Sequence, residues 1–242
     1  MPVRSGASVS RYSTPKTESN LPAKSIHSRS LMGATRPKAF LPIGERPILS
    51  VAAAAAAASP KVGALVVAAP PGYEDEARSS VEGLMLPTTV LTGGRTRQAS
   101  VRAALTALAP DAEIVVIHDA ARPFAPPDLF TEVIRTVEAG ADGAIPVVPV
   151  TDTIKRIDGI RVVDTVDRSE LANAQTPQAF RVPALREAHE RAAADGAAVT
   201  DDAMLLEAIA TIVAVAGDPM NFKITTMFDL ARAEARMGGV HA

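Results

Sequence analysis

The sequence predicts a doubly wound α/β fold around a mostly parallel sheet, with a projecting β-hairpin arm. Three observations carry this. Short runs of strand length are apolar throughout, as at 62–69 and 143–150, the mark of strands covered on both faces. They alternate with helical stretches of about three turns, the rhythm of parallel strands joined by crossover helices. That rhythm is interrupted once, over 151–172, by polar-apolar text around Asp158-Gly159.

Each element follows from local chemistry. Pro47 stands at the expected first helical position of "PILSVAAAAAAASP" (47–60), whose alanines are the best helix formers and which stops before Pro60. The strand "VGALVVAA" (62–69) is closed by Pro70-Pro71-Gly72, and a helix near 74–82 leads to the strand "TTVL" (88–91). A helix near 97–108, the strand "EIVVIH" (113–118), a helix near 127–139 and the strand "GAIPVVPV" (143–150) continue the alternation. "DTIKRIDGIRVVDTV" is too polar for a buried sheet, and its Asp-Gly pair signals a hairpin. Helices near 182–194 and 201–209, the strand "TIVAVA" (211–216) and a helix near 227–237 complete the chain. One domain is expected over 21–242, ending just after the last helix, with the arm at about 151–172.

Composition narrows the chemistry. Lys and Arg (25) nearly balance Asp and Glu (27), so neither nucleic acid nor an anionic membrane is an expected partner. There is no cysteine, which excludes disulfides, thiolate metal sites and cysteine nucleophiles. The longest apolar stretch, "ILSVAAAAAAA" (48–58), is too short for a bilayer, which takes about 20 residues. No G-x-S-x-G elbow supports a serine hydrolase.

In open parallel sheets ligands bind beyond the carboxyl ends of the strands, so the polar residues there matter most. Thr92-Gly93-Gly94-Arg95 follows one strand and opens a helix carrying Ser100; it is either a close-approach loop for a ligand or a plain turn. "HDAARP" follows another, with His118, Asp119 and Arg122. Asp119 there suits Mg²⁺, which takes one or two carboxylates and fills its shell with phosphate and water; capping a turn is the alternative. Lys223, after the last strand, can meet a phosphate as a point charge. Thr200-Asp201-Asp202 could supply acid-base groups, but reads better as the cap and first-turn acids of a helix. His27, His189 and His241 have no partners at ligand spacing and receive no role. Lysines, one acid for a metal and small-residue strand ends together suit phosphoryl-type transfer.

The order of motifs is more specific. "RPKAFLPIGERPIL" (36–49), "GGRTRQASV" (93–101), "HDAARPF" (118–124), "PVTDTIKR" (149–156), "TVDRSEL" (165–171), "QTPQAF" (175–180), "TDDAMLLE" (200–207) and "GDPMNFKIT" (217–225) closely resemble the 2-C-methyl-D-erythritol 4-phosphate cytidylyltransferase family, from about Arg36 to the last helix. The resemblance implies a Rossmann-like nucleotidyltransferase fold and a homodimer of the non-mevalonate isoprenoid pathway. It implies transfer of a cytidylyl group from CTP to methylerythritol phosphate with Mg²⁺, releasing pyrophosphate. By carry-over, Lys38 and Lys223 steady the α-phosphate, and Asp119 faces metal and substrate. Gly94, Ser100 and Ala120 surround cytosine and ribose. Arg122, Thr153, Arg168 and Thr176 match positions that hold methylerythritol phosphate, Thr153 and Arg168 being offered by the arm to the neighbouring subunit. The nearest enzymatic alternative is a cytidylyltransferase for ribitol 5-phosphate.

The sequence departs from that family in front. The family has an apolar strand and a glycine-rich loop of A-A-G-x-G-x-R type, whose amides wrap the triphosphate; "SNLPAKSIHSRSLMGAT" (19–35) stands here instead, with Gly33, Lys24 and Arg29 as remaining phosphate contacts. Residues 1–20 read as a disordered or non-native segment. Their Arg/Ser-rich, acid-poor text also has the composition of a plastid transit peptide, although a bacterial-type cytoplasmic enzyme is the main expectation. Either the recorded start of the chain is in error, or the protein is a weakened or inactive homologue serving as a non-catalytic dimer.

Overall fold

A computed structural model of the protein describes residues 36–197, 199 and 201–239. The expectations placed on 1–20, on Lys24, His27, Arg29 and Gly33, and on Thr200 and His241 lie outside the described residues.

Lys38–Phe40 form one 3₁₀ turn after Pro37, and Pro42–Ile43 (β1) pairs with Arg46–Pro47 (β2) in a small antiparallel ladder. Helix α1, Ile48–Ala57, begins one residue later than expected: Pro47 is its extended N-cap. Its small buried residues Ala52, Ala53 and Ala56 let it lie close to its neighbours. Strand β3, Leu65–Ala69, runs parallel to β4, Thr88–Thr92, from Leu65 opposite Thr88 to Ala69 opposite Thr92. Between them α2, Glu74–Ser80, carries Glu74, Asp75 and Glu76 in its first turn, where carboxylates oppose the positive end of the helix dipole. Helix α3, Arg97–Thr106, starts where the Thr96 side chain accepts the Ala99 N–H.

The larger sheet has the order β11-β6-β10-β5, with β9 added on β6. Here β5 is Ile114–Ile117, β6 Gly143–Pro149, β9 Ala172–Ala174, β10 Gln178–Arg181 and β11 Ile212–Ala216. Strands β6 and β11 are parallel, and β5 runs the same way as β6 because both are antiparallel to β10 between them. Alternation along β10 sends adjacent residues to opposite faces. Phe180 joins Val101, Leu105, Val115 and Leu185 on the side of α3 and α5. Ala179 joins Val133 and Val137 on the side of α4. Helix α4, Pro127–Glu138, buries Leu129, Phe130, Val133, Ile134 and Val137 along one face, the stripe an amphipathic helix turns to its core. Helix α5 spans Val182–Asp195. The last helix, α6, spans Met227–Gly238 and opens with a reciprocal capping box between Thr226 and Asp229.

The hairpin consists of β7, Ile154–Asp158, and β8, Arg161–Val166, which among the described residues pair only with each other. Asp158 faces Arg161, so the two-residue loop is Gly159-Ile160 and not Asp158-Gly159. Gly159 takes φ 58°, the left-handed value a tight hairpin requires at its first loop position. Two further expectations are corrected. Residues 201–209 hold a 3₁₀ turn, Ala203–Leu205, and no α-helix, because the acids at its start are drawn into side-chain contacts described below. Strands β9 and β10 were not anticipated: "ANA" and "QAFR" are too short and mixed to show a period.

Candidate active site

The carboxyl ends of β3, β4 and β5 meet in a tightly packed set of turns. Gly93 donates its N–H to the Ala69 carbonyl at 2.6 Å, tying the end of β4 to that of β3. A Cβ on Gly94 would stand 2.3 Å from the Ala99 Cβ, far inside van der Waals contact, so only glycine lets this loop lie on the first turn of α3. The Ser100 hydroxyl receives the Gly94 N–H at 3.1 Å and donates to the Thr96 carbonyl at 2.9 Å. Thus two of the expected nucleotide-contact residues, Gly94 and Ser100, are brought together. Ala120 packs with Phe40, Val67 and Ala69, which anchors the turn holding Lys38 beside these strand ends. Lys38 takes part in no ion pair among the described residues.

After β5 the chain makes the turn that carries Asp119. Its amide donates to the Thr176 Oγ1 at 3.0 Å, and Thr176 Oγ1 lies 3.0 Å from His118 Nδ1. His118 Nε2 is 3.1 Å from the Arg122 carbonyl. A carbonyl only accepts, so Nε2 carries the proton and Nδ1 accepts from the threonine hydroxyl. Burial pushes the imidazole down to about 4, and it serves as a neutral brace across the loop. Thr176 is therefore a support of the Asp119 turn, its hydroxyl engaged on both sides.

Asp119 itself lies between two cations. Oδ2 is 2.7 Å from Lys223 Nζ and Oδ1 is 3.1 Å from Arg97 Nε. Burial would raise this carboxyl, but Lys223 and then Arg97 outweigh it and hold it at about 2, so it is an anion at any physiological pH. Lys223 is positioned by its neighbour Ile224, fully buried and donating its N–H to the Ala121 carbonyl at 2.8 Å. Arg122 spans to the same segment: Nη1 donates to the Asn221 carbonyl at 2.8 Å and Nη2 to the Ala174 carbonyl at 3.2 Å. Buried Asn221 closes the arrangement by donating Nδ2 to the Thr176 carbonyl at 2.9 Å. Burial lowers the Arg122 guanidinium, yet it stays cationic because an arginine starts so high.

Three participants went unrecognised in the sequence. Arg97, the first residue of α3, also places Nη1 2.7 Å from Asp202 Oδ2, and Asp202 Oδ1 is 2.9 Å from His189 Nε2. Asp202 is therefore not a first-turn helix acid, as expected, but a buried member of a charge network. His189, which received no role, is its partner. Asp201 does cap locally, accepting the Met204 N–H at 3.1 Å. Arg97 had one local signal, its place at the start of a helix behind a Gly-Gly turn; Asp202 and His189 had none.

The arm is different in kind. Thr153 and Arg168 are exposed, and Arg168 donates to the Thr151 carbonyl. Among the described residues no hydrogen bond or ion pair joins either to Asp119, Arg122 or Lys223.

Known proteins are similar to this chain over most of its length. The model of the 2-C-methyl-D-erythritol 4-phosphate cytidylyltransferase (IspD) family matches residues 21–239, beginning ahead of Arg36, where the resemblance in the sequence was first apparent. The chain is 44% identical over 209 residues to the 2-C-methyl-D-erythritol 4-phosphate cytidylyltransferase of Saccharopolyspora erythraea, covering 84% of this chain and 92% of that protein. The crystal structure of the enzyme of that name from Thermus thermophilus superposes with a TM-score of 0.71 at 38% identity, covering 83% of this chain and 93% of that one. That of 4-diphosphocytidyl-2C-methyl-D-erythritol synthase from Anaerococcus prevotii superposes at 0.77 and 29% identity, with the same coverages. A sheet of this order, an acid between two cations at its carboxyl edge, and a match over nearly the whole length lead to one conclusion: the chain belongs to the 2-C-methyl-D-erythritol 4-phosphate cytidylyltransferase family.

Proposed function

We propose that the protein transfers the cytidylyl group of CTP to 2-C-methyl-D-erythritol 4-phosphate, releasing pyrophosphate, as a step of isoprenoid precursor synthesis by the non-mevalonate route. The observation that carries this is Asp119 between Lys223 and Arg97, with Arg122 held beside it. Phosphoryl-type transfer needs in-line placement and charge neutralisation more than covalent help from the protein. In the step itself an oxygen of the methylerythritol phosphate attacks the α-phosphorus of CTP. The bond from that phosphorus to the α,β-bridging oxygen breaks, and pyrophosphate departs.

The residues divide the work. Lys223, partly exposed and held only through its tip, exchanges Asp119 for an α-phosphate oxygen, and Lys38 approaches the same phosphate. Gly94, Ser100 and Ala120 border the base and ribose. Arg122, with Thr153 and Arg168, receives the acceptor phosphate, while Thr176 holds the Asp119 turn behind it. Asp119, an anionic carboxylate at the strand end, is the kind of ligand Mg²⁺ takes, since this ion needs one or two carboxylates and completes its shell with phosphate oxygens and water. When bound, with Asp119 as its ligand, Mg²⁺ would neutralise phosphate charge.

The arm supports a homodimer. Ile157, Ile160, Val162 and Val163 are all exposed on it, an apolar surface that a monomer does not ordinarily leave in water. A second copy of the chain would cover it and bring Thr153 and Arg168 to the partner's site. No described helix is long and apolar enough to cross a membrane.

A pyrophosphate-release assay with CTP and Mg²⁺ tests the reading, offering methylerythritol phosphate and ribitol 5-phosphate in parallel. Turnover with the former is expected. Turnover with ribitol 5-phosphate alone, or with neither, would overturn it.

A further inference from the structure

From the chain of contacts behind Asp119 we infer that the buried pair His189 and Asp202 is a positioning device, locking Arg97 so that Asp119 stays in place when Lys223 leaves it for the nucleotide. The contacts run in series. Lys223 meets Oδ2 of Asp119, Arg97 meets Oδ1 of Asp119 and Oδ2 of Asp202, and His189 meets Oδ1 of Asp202. Each carboxylate thus uses its two oxygens on two different partners. Arg97 is the hinge, with Nε toward the Asp119 carboxylate and Nη1 toward the buried one.

The two ends of this series differ in mobility. Lys223 has 43% of its side chain exposed, whereas Asp202 and His189 have 0% and 1%. A long exposed lysine can swing to an incoming phosphate, and Asp119 then keeps Arg97 alone. If Arg97 were free it could follow the phosphate too, carrying Asp119 out of register. It is restrained because Asp202 is itself fixed. Carboxylates only accept, so His189 donates Nε2–H to Oδ1. His189 Nδ1 makes no hydrogen bond among the described residues, so the ring's polar commitment there is to Asp202. Arg97 Nη1 lies 2.7 Å from Oδ2, so the guanidinium holds one oxygen of that carboxylate and the histidine fixes the other. Burying a carboxylate so fully is costly unless it is paired and hydrogen-bonded, and a fold needing only cohesion would be served by apolar packing at this position.

This inference rests on the cytidylyltransferase reading. The test compares the unaltered chain with His189→Gln, which keeps a donor near Nε2, and with His189→Leu and His189→Asn, which cannot reach Asp202 with one. kcat and KM for both substrates are measured alongside thermal melting, and the ¹⁵Nε–H signal of Arg97 is followed by NMR. The expected result is a kcat lowered about 10- to 100-fold in the Leu and Asn variants, the range for a small misplacement of catalytic groups by a supporting residue. KM for CTP would change little and the Gln variant would recover most of kcat. The Arg97 signal would be sharp in the unaltered and Gln proteins and averaged in the others. Equal kcat in all folded variants, or losses that follow melting temperature and are not rescued by Gln, would overturn the inference. If Leu fails to fold, the Gln and Asn pair decides. If the unaltered chain shows no turnover, the function proposed above fails, and the Arg97 signal tests the coupling by itself: sharpness that does not depend on residue 189 overturns it.

Discussion

The body of the domain and its arm treat their polar and apolar groups in opposite ways. In the body, the charges around Asp119 are paired: Asp119 has two partners, Arg97 has two and Arg122 reaches two backbone carbonyls. On the arm, Ile157, Ile160, Val162 and Val163 face water, and Thr153 and Arg168 are exposed. The body holds its charged side chains in contacts made within one chain. The arm has the composition of a surface that is finished by something else, and in a symmetric pair each arm can complete the other's body.

The largest effect that would break this contrast lies in the body. Asp119→Asn keeps the shape of the side chain but removes the charge between Lys223 and Arg97. Turnover in the pyrophosphate-release assay is expected to fall about 10²- to 10³-fold, the usual cost of removing one electrostatic contributor to a transition state. A fall of less than tenfold would remove Asp119 from the chemistry. The same substitution has a pH signature. The Asp119 carboxyl sits at about 2 against an ordinary 3.8, so its contribution to stability is full above the ordinary value and is lost as pH falls through that range toward 2. The difference in unfolding free energy between wild type and Asp119→Asn, read from thermal melts, should therefore shrink between pH 5 and pH 2 by an amount on the order of 2 kcal/mol.

Next comes the arm. Ile157→Asp with Val163→Asp places two charges on the apolar surface. Sedimentation should show the dimer dissociating at concentrations where the wild type is paired, with a loss in affinity of about tenfold or more. Unchanged assembly would remove the arm from the interface. A smaller effect is expected from Gly94→Ala, where the new methyl would collide with Ala99; overpacking of this kind costs about 1–3 kcal/mol, read as a lower melting temperature. Smallest of all is Ile160→Ser at the tip of the arm. Ile160 is fully exposed, and its replacement should leave monomer stability within about 0.5 kcal/mol.

The same contrast separates what was legible in the sequence from what was not. Buried parallel strands were readable because an apolar run such as "LVVAA" or "IVVI" carries its environment in its own composition. The arm was readable because glycine beside a polar turn residue interrupts that composition abruptly. Strand β10 was hidden: four residues, bounded by Gln178 and Arg181, show no alternation, and its place between β5 and β6 depends on partners more than 30 positions away in sequence. The motif residues Asp119, Arg122, Thr176 and Lys223 could be named, and the structure brings them together. Arg97, Asp202 and His189 could not, because their roles exist only once α3, α5 and the 3₁₀ turn converge. Asp202 in "TDD" looks like any helix-start acid until the helix fails to form.

The division between body and arm has one direct test. Asp119→Asn disables a body and leaves its arm intact; Arg168→Ala disables an arm and leaves its body intact. Each variant alone should be nearly inactive. If sites are completed across the dimer, mixing the two in equal amounts and allowing exchange restores activity to about a quarter of the wild-type rate, since half of the dimers are mixed and one of their two sites is whole. No recovery in a mixture shown to exchange subunits would contradict a site shared between chains.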